Sequence, residues 1–208
     1  MSEELVLYSN PMSRGRIARW MLEELGQPYR VDYVPYDRMK GPEFLAINPM
    51  GKVPTLVHGA RVVTECAAIC AYLAAAFPEA GLQPEPGSQA SADYYRWLFF
   101  GAGPVEAAVT AKALGLLAPA EKKGTVGYGS FDDVMDALES AVAGKTYIAG
   151  DSFTAADVYV GAQIGWGLRF GSIEPRDAFK AYWAGIENRP ALKRAEALDN
   201  AAMPPREG

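Results

Sequence analysis

The run Asn48-Pro-Met-Gly-Lys-Val-Pro54-Thr-Leu56, followed by Thr64-Glu65-Cys66, brings together residues that could hold a small peptide. Proline cannot donate to a sheet ladder, so Pro54 belongs at the first position of the apolar strand Thr55-Leu56-Val57. That placement leaves Val53 outside the ladder. If the Val53-Pro54 bond is cis, the Val53 amide and carbonyl face outward and can pair with an extended peptide by strand addition. Glu65 is expected one residue inside a helix that Thr64 caps, where a carboxylate can take an ammonium group. The set describes a clamp for a short peptide with a free amino group. Singly, each feature has a plainer reading: a trans proline opening a strand, and an acid serving the helix dipole. Their spacing, with a Gly59-centred turn between them, favours the clamp.

A second constellation lies upstream. The loop Ser9-Asn-Pro-Met-Ser13-Arg14-Gly-Arg16 joins a predicted strand to a predicted helix. Unpaired backbone N–H groups and the positive end of the helix dipole therefore face whatever binds there. An anion suits that position.

The elements that must position these residues can be read from periodicity. Leu5–Tyr8 is a buried strand, and Ile17, Met21 and Leu25 mark one face of a helix ended by Gly26. Tyr29–Tyr33 alternates as a second strand, and Gly41–Asn48 gives a short helix. Strands at 55–57 and 61–63 make a hairpin. A helix over 64–76 then carries Cys66, Cys70, Leu73 and Phe77 as its inward stripe. The order is β-α-β-α-β-β-α. Pro78–Gly87, rich in proline and glycine, is a linker. Beyond it the pattern predicts helices at 88–116, 130–143, 155–168 and 178–186, the last stopped at Pro190, and no strand. Thr154 and Asp157 form a capping box before Val158-Tyr-Val-Gly-Ala. Two domains are expected: an α/β domain over 1–80 and an all-helical one over 88–208.

Composition narrows the function. The chain has 208 residues, half of them apolar, enough to bury a core in one large or two small domains. Its net charge of -5 comes without a basic run, which argues against a nucleic-acid partner. No apolar run reaches the roughly 18 residues a membrane helix needs. The opening Met-Ser-Glu-Glu lacks the basic and apolar regions of a signal peptide, so the cytoplasm is the expected compartment. Cys66 and Cys70 read as small buried hydrophobes rather than as a disulfide framework. His58 is the single histidine, placed in the predicted turn Val57-His58-Gly59-Ala60. That count argues against a histidine-based metal site or a serine-histidine-carboxylate triad, and no glycine-rich phosphate loop is present. Neither a metal nor a nucleotide is expected.

A proline-opened strand, a hairpin, then an acid and a small thiol or hydroxyl residue at a helix start resembles the glutathione-binding pattern of the cytosolic glutathione transferases. The capping box in the helical half matches the same family, so the resemblance spans nearly the whole chain. It implies a thioredoxin-like N-terminal domain and an all-α C-terminal domain. It also implies a cytoplasmic homodimer, active in detoxification, that directs the glutathione thiolate at an electrophilic carbon of a small hydrophobic molecule. Carried onto this chain, Val53 pairs with the cysteinyl unit, Pro54 holds the turn, and Glu65 with the Cys66 amide takes the γ-glutamyl end. Cys66 replaces a usual serine. Lys40 and Lys52 match lysines that meet the glycyl carboxylate, while Asn48 reads as a turn former before Pro49.

For the thiolate the resemblance offers three residues. Ser13 matches the serine of theta-like members, with helix capping as its alternative role. Arg14 aligns where other bacterial members place a cysteine or asparagine, and otherwise is a solvated cation. Tyr8 is placed like the catalytic tyrosine of alpha-type members, which Arg19-Trp20 also match, and otherwise packs a strand end. Met12 stands where the tau-type serine would align. The electrophile site is expected between the domains, along the helix Tyr94–Phe100, with Phe100, Gly103 and Trp166 as lining residues. Two other activities fit the scaffold: a glutathione-dependent disulfide reductase and a non-catalytic binding protein.

Overall fold

A computed structural model describes residues 3–204; Met1, Ser2 and residues 205–208, at the outer ends of the two expected domains, lie outside it. β1 (Leu5–Ser9) leads into α1 (Gly15–Leu25), which ends at Gly26. Gly26 takes the left-handed conformation, φ 67, and its N–H bonds the Leu22 carbonyl, the closure glycine permits without a Cβ clash. β2 (Arg30–Tyr33) pairs parallel with β1. α2 (Pro42–Leu45) opens on proline. β3 (Thr55–His58) runs antiparallel to both β1 and β4 (Arg61–Thr64), giving the sheet order β2-β1-β3-β4. α3 (Cys66–Ala76) follows. This is the thioredoxin-like order read from the sequence. Leu7 and Leu56 from the central strands, Ile17 and Met21 from α1, and Ile69 and Leu73 from α3 are at most 1% exposed. Truncating any one of these to alanine is the kind of change that costs about 2–5 kcal/mol.

Two local expectations are corrected. The hairpin ladder runs on to the Thr55–Thr64 pair, so Thr64 closes β4 and does not cap α3. Glu65 itself takes the N-cap position, one residue before the helix. His58, placed in the turn by sequence, ends β3, and the turn falls at Gly59, φ 59.

The helical part begins with α4 (Gln89–Phe100), capped by the Ser88 hydroxyl. A π turn, Gly101–Val105, separates it from α5 (Glu106–Ala113), where one unbroken helix was expected. Pro104 lies within the π turn, and lacking an N–H it cannot close an ordinary turn. α6 (Phe131–Val142), α7 (Ala155–Phe170) and α8 (Asp177–Ile186) follow. The Thr154–Asp157 capping box is present at the start of α7. The fully buried Asp157 accepts from the Ile148 and Thr154 amides and from the Thr154 and Tyr182 hydroxyls, all at 2.8–2.9 Å. Burial pushes its carboxyl up and these donors pull it back.

Pro190, expected to stop the last helix, instead opens a further one, α9 (Pro190–Ala201). Proline at the first helical position gives up an N–H that has no helical acceptor there. By contacts the chain divides discontinuously, whereas its composition breaks at the 78–87 linker. One unit holds the residues up to Ala80 together with the segment from Arg189, and the other holds Gly81–Asn188. Within the first unit, α9 packs on α1 through Ala191, Leu192 and Ala195. Arg189 fixes its start, donating to both Glu24 oxygens at 2.7 and 2.8 Å.

Candidate functional site

Asn10 shapes the loop after β1. It is buried, its Nδ2 donates to the Val34 carbonyl (3.1 Å), and its Oδ1 accepts from the Met12 amide (2.9 Å). Its carbonyl accepts from both the Ser13 amide (3.0 Å) and the Ser13 hydroxyl (2.7 Å). Ser13 Oγ in turn accepts from the Gly15 amide at 3.0 Å, so this hydroxyl already satisfies a first-turn donor of α1. Arg14 occupies the N-cap in helical conformation, with an exposed side chain that does not cap. Gly15 is required sterically, because a Cβ there would strike Ser9 Oγ. Its absence lets α1 begin directly over the end of β1.

Tyr8 sits at the other side of that strand end. Its ring packs on Phe44, centroids 5.8 Å apart, against a cluster of Val34, Met39 and Phe44 that Ile47 and Val53 also cover. Among the described residues its hydroxyl has no hydrogen-bond partner.

The loop from Asn48 to Pro54 is built from within. Buried Asn48 donates through Nδ2 to the Lys52 carbonyl (2.8 Å) and to Thr55 Oγ1 (3.0 Å), and its Oδ1 accepts from the Met50 amide (3.0 Å). It is the turn former that the sequence suggests. Gly51, φ 55, lies so close to the Met39 carbonyl that any Cβ would collide with it. Lys40 lies alongside Gly51 and donates through Nζ to the Met50 carbonyl at 2.6 Å, while Lys52 is exposed. The Val53–Pro54 peptide is cis. Among the described residues neither the amide nor the carbonyl of Val53 is hydrogen-bonded.

Glu65 is exposed and has φ 65, ψ 118, the one positive φ outside glycine among the described residues. Such a conformation costs of order 1–3 kcal/mol in a residue with a Cβ, and it persists only where the surroundings enforce it. Cys66 follows, nearly buried, its Sγ donating to the Arg14 carbonyl at 3.6 Å. Cys70 is fully buried one turn on.

The structure therefore joins Tyr8 to Val53 through one apolar cluster, Arg14 to Cys66 through one contact, and Lys40 to the loop that carries Lys52. Phe100, Gly103 and Trp166 belong to the other unit. Phe100 is half-buried with its ring 5.5 Å from Trp97, Gly103 is exposed in the π turn, and Trp166 is half-buried on α7. Sequence reasoning passed over Asn10, Gly15 and Gly51. The Asn10-Pro11 dipeptide is a turn signal that marks the first. Among the described residues no helix is long and apolar enough to cross a membrane, and no cluster of three or more His, Cys, Asp or Glu could hold a metal.

A thioredoxin-like unit with a cis proline opening its third strand, followed in the chain by a helical unit, is the architecture that the resemblance in the sequence implies. Comparison with known proteins agrees. The glutathione S-transferase N-terminal domain model matches residues 12–76, and the C-terminal domain model matches residues 130–190. The chain is 30% identical to glutathione S-transferase 3 of Zea mays over 97% of both chains. A glutathione transferase from Methylococcus capsulatus superposes with TM-score 0.78 at 26% identity, covering 95% of this chain and 99% of its own. A sphingomonad glutathione S-transferase, solved in complex with glutathione, superposes with TM-score 0.75 at 29% identity over 94% and 98%. The chain belongs to the glutathione S-transferase family.

Proposed function

We propose that this protein binds glutathione along the Val53 edge, stabilises its thiolate at the start of α1, and directs it at small hydrophobic electrophiles. The observation that carries the reading is the pairing of an unsatisfied Val53 backbone with a strained, exposed Glu65 at the start of α3. Strain is tolerated where it aims a group, and here it aims a carboxylate just ahead of a helix start. The cysteinyl unit of an extended tripeptide would pair with Val53. Its amino end would meet Glu65 and the Cys66 amide, and its glycyl carboxylate would meet Lys40 and Lys52.

A thiol of ordinary pKa near 8.5 must fall by about 1.5 units to be half ionised at neutral pH, roughly 2 kcal/mol. A helix start contributes about 0.3–1 kcal/mol and a neutral hydroxyl bond about 1 kcal/mol, so one hydroxyl at the α1 start nearly suffices. Ser13 donates its proton to Asn10 and would have to turn it away to serve. Tyr8 has an uncommitted hydroxyl and packs in the cluster with Val53, where a paired cysteinyl unit would bring its sulfur. These contacts favour Tyr8 over Ser13, with Arg14 supplying positive charge beside the same helix start. In the reaction the thiol proton leaves to solvent, the sulfur pair forms the S–C bond, and the leaving group departs with the pair of the bond that breaks.

The electrophile would meet Phe100, Gly103 and Trp166, and the working form would be a cytoplasmic homodimer. The deciding experiment is retention on immobilised glutathione followed by turnover of a panel of electrophiles and mixed disulfides. Conjugation supports the proposal. Reduction of disulfides alone assigns a reductase, and retention without turnover assigns a binding protein.

A further inference from the structure

α1 carries Arg16 and Arg19 one turn apart, and each guanidinium bridges the end of α9 to the segment that shapes the candidate site. Arg16 Nε donates to the Pro11 carbonyl at 2.5 Å, and its Nη2 donates to Asn200 Oδ1 at 2.9 Å. Arg19 Nη2 donates to the Tyr33 hydroxyl at 2.7 Å, and Tyr33 stands in register with Ser9, the residue where the loop begins. Arg19 Nε lies 2.9 Å from Asp199 Oδ1, an ion pair angled poorly for a hydrogen bond and fully buried, the side chains 4% and 0% exposed. Asp199 continues the Ala191 and Ala195 stripe of α9 at four-residue spacing, so a charge occupies a position where an apolar residue would pack. A buried ion pair of this kind adds little net stability over an apolar replacement, so stability alone does not account for it.

We infer that the end of α9 sets the geometry of the Pro11–Arg14 loop through Arg16 and Arg19, which makes Asn200 and Asp199 positioning residues for the thiolate. The Arg16 guanidinium holds the Pro11 carbonyl, and Asn200 fixes where that guanidinium sits. Arg19 does the same for Tyr33, the strand neighbour of the loop's first residue. The far end of α9 is attached separately: Arg194 donates to Glu23 Oε2 (2.9 Å) and to the Glu23 carbonyl (3.0 Å), near the other end of α1. Loop control and helix docking thus use different residues of one helix. The inference rests on the proposed reading that the start of α1, whose approach to Tyr8 this loop sets, stabilises the thiolate.

The test uses the full chain with Asn200→Ala, Asp199→Asn, the conservative Asp199→Glu and, as a docking control, Arg194→Ala. For each, glutathione affinity is measured by calorimetry, the apparent pKa of bound glutathione from the pH dependence of conjugation, and folding from the urea midpoint. Asn200→Ala removes an exposed contact and should fold normally. It should raise the apparent thiol pKa by about half a unit to one unit and lower kcat at neutral pH about three- to tenfold, with affinity changed less than about twofold. Asp199→Asn should do at least as much, and Asp199→Glu should recover part of the loss. Arg194→Ala should move the urea midpoint alone. An unchanged thiol pKa in folded Asn200→Ala overturns the inference, as does an equal rise in Arg194→Ala. A parent protein that binds no glutathione would sink the reading of the site and the inference with it, an outcome distinct from a parent that binds while its variants titrate unchanged.

Discussion

The Cys66 thiol and the Arg14 carbonyl lie 3.6 Å apart, a contact that ties the start of α3 to the start of α1. Two helix N-termini from separate parts of the chain are thereby held side by side. Each presents the positive end of a dipole, although the Gly15, Arg16 and Ile17 amides of α1 are already met by Ser13 and Arg14. On the proposed reading, a ligand with a carboxylate at one end and an ionisable thiol in its middle would meet both helix starts at once.

Glu65 should show both sides of its strain. Glu65→Gln keeps the shape and removes the charge, and it should weaken glutathione binding by about 1.5–3 kcal/mol, ten- to hundredfold in calorimetry. Glu65→Gly should bind as poorly yet relieve the φ 65 backbone and raise the urea stability by about 1 kcal/mol. Undiminished binding in either variant would remove Glu65 from the clamp.

The thiolate holder should declare itself by titration. Among Tyr8→Phe, Ser13→Ala and Arg14→Ala, Tyr8→Phe should raise the apparent pKa of conjugation most, by about one unit. Ser13→Ala should act mainly through lost stability, since its hydroxyl bridges Asn10 and Gly15. A larger rise in Ser13→Ala would return the role to the serine.

The two cysteines should prove structural. Both are buried, at 8% and 0% exposure, on one face of α3. The double variant Cys66→Ser, Cys70→Ala should keep most turnover and lose about 1 kcal/mol or more of stability. Rapid labelling of either thiol in the native protein would contradict this.

Stability should fall as the solution is made alkaline above pH 10. Burial, then the Glu23 carboxylate, raise the Tyr29 hydroxyl above its ordinary value of 10.0, and burial with Asp157 raises Tyr182. The folded chain keeps these protons where the unfolded chain releases them, so their contribution is complete below pH 10 and shrinks above it. For each tyrosine the slope is at most about 1.4 kcal/mol per pH unit, and for the less buried Tyr29 it spans a narrower pH range. Urea midpoints between pH 9 and 11 read it, and Tyr182→Phe should flatten the decline. A decline as steep in that variant would assign it to other groups.

The order of elements was legible in the sequence alone. Pro54 had to open a strand because it has no N–H, the 155–168 periodicity had to be a helix because Thr154 and Asp157 cap it, and the β-α-β-α-β-β-α order with a helical remainder followed. What it could not determine were features set by partners far away in the chain. Glu65 has φ 65 because the β3–β4 ladder extends to Thr64 and leaves a single residue to turn into α3. Pro190 reads in sequence as the stop of the preceding helix, and only the surface of α1 made it the first residue of a docked one. The partners of Arg16 and Arg19 are not legible in sequence, since Asn200 and Asp199 lie some 180 residues away. Propensity and periodicity act over one turn or one strand, whereas ion pairing and close backbone approach depend on which surfaces tertiary packing brings together.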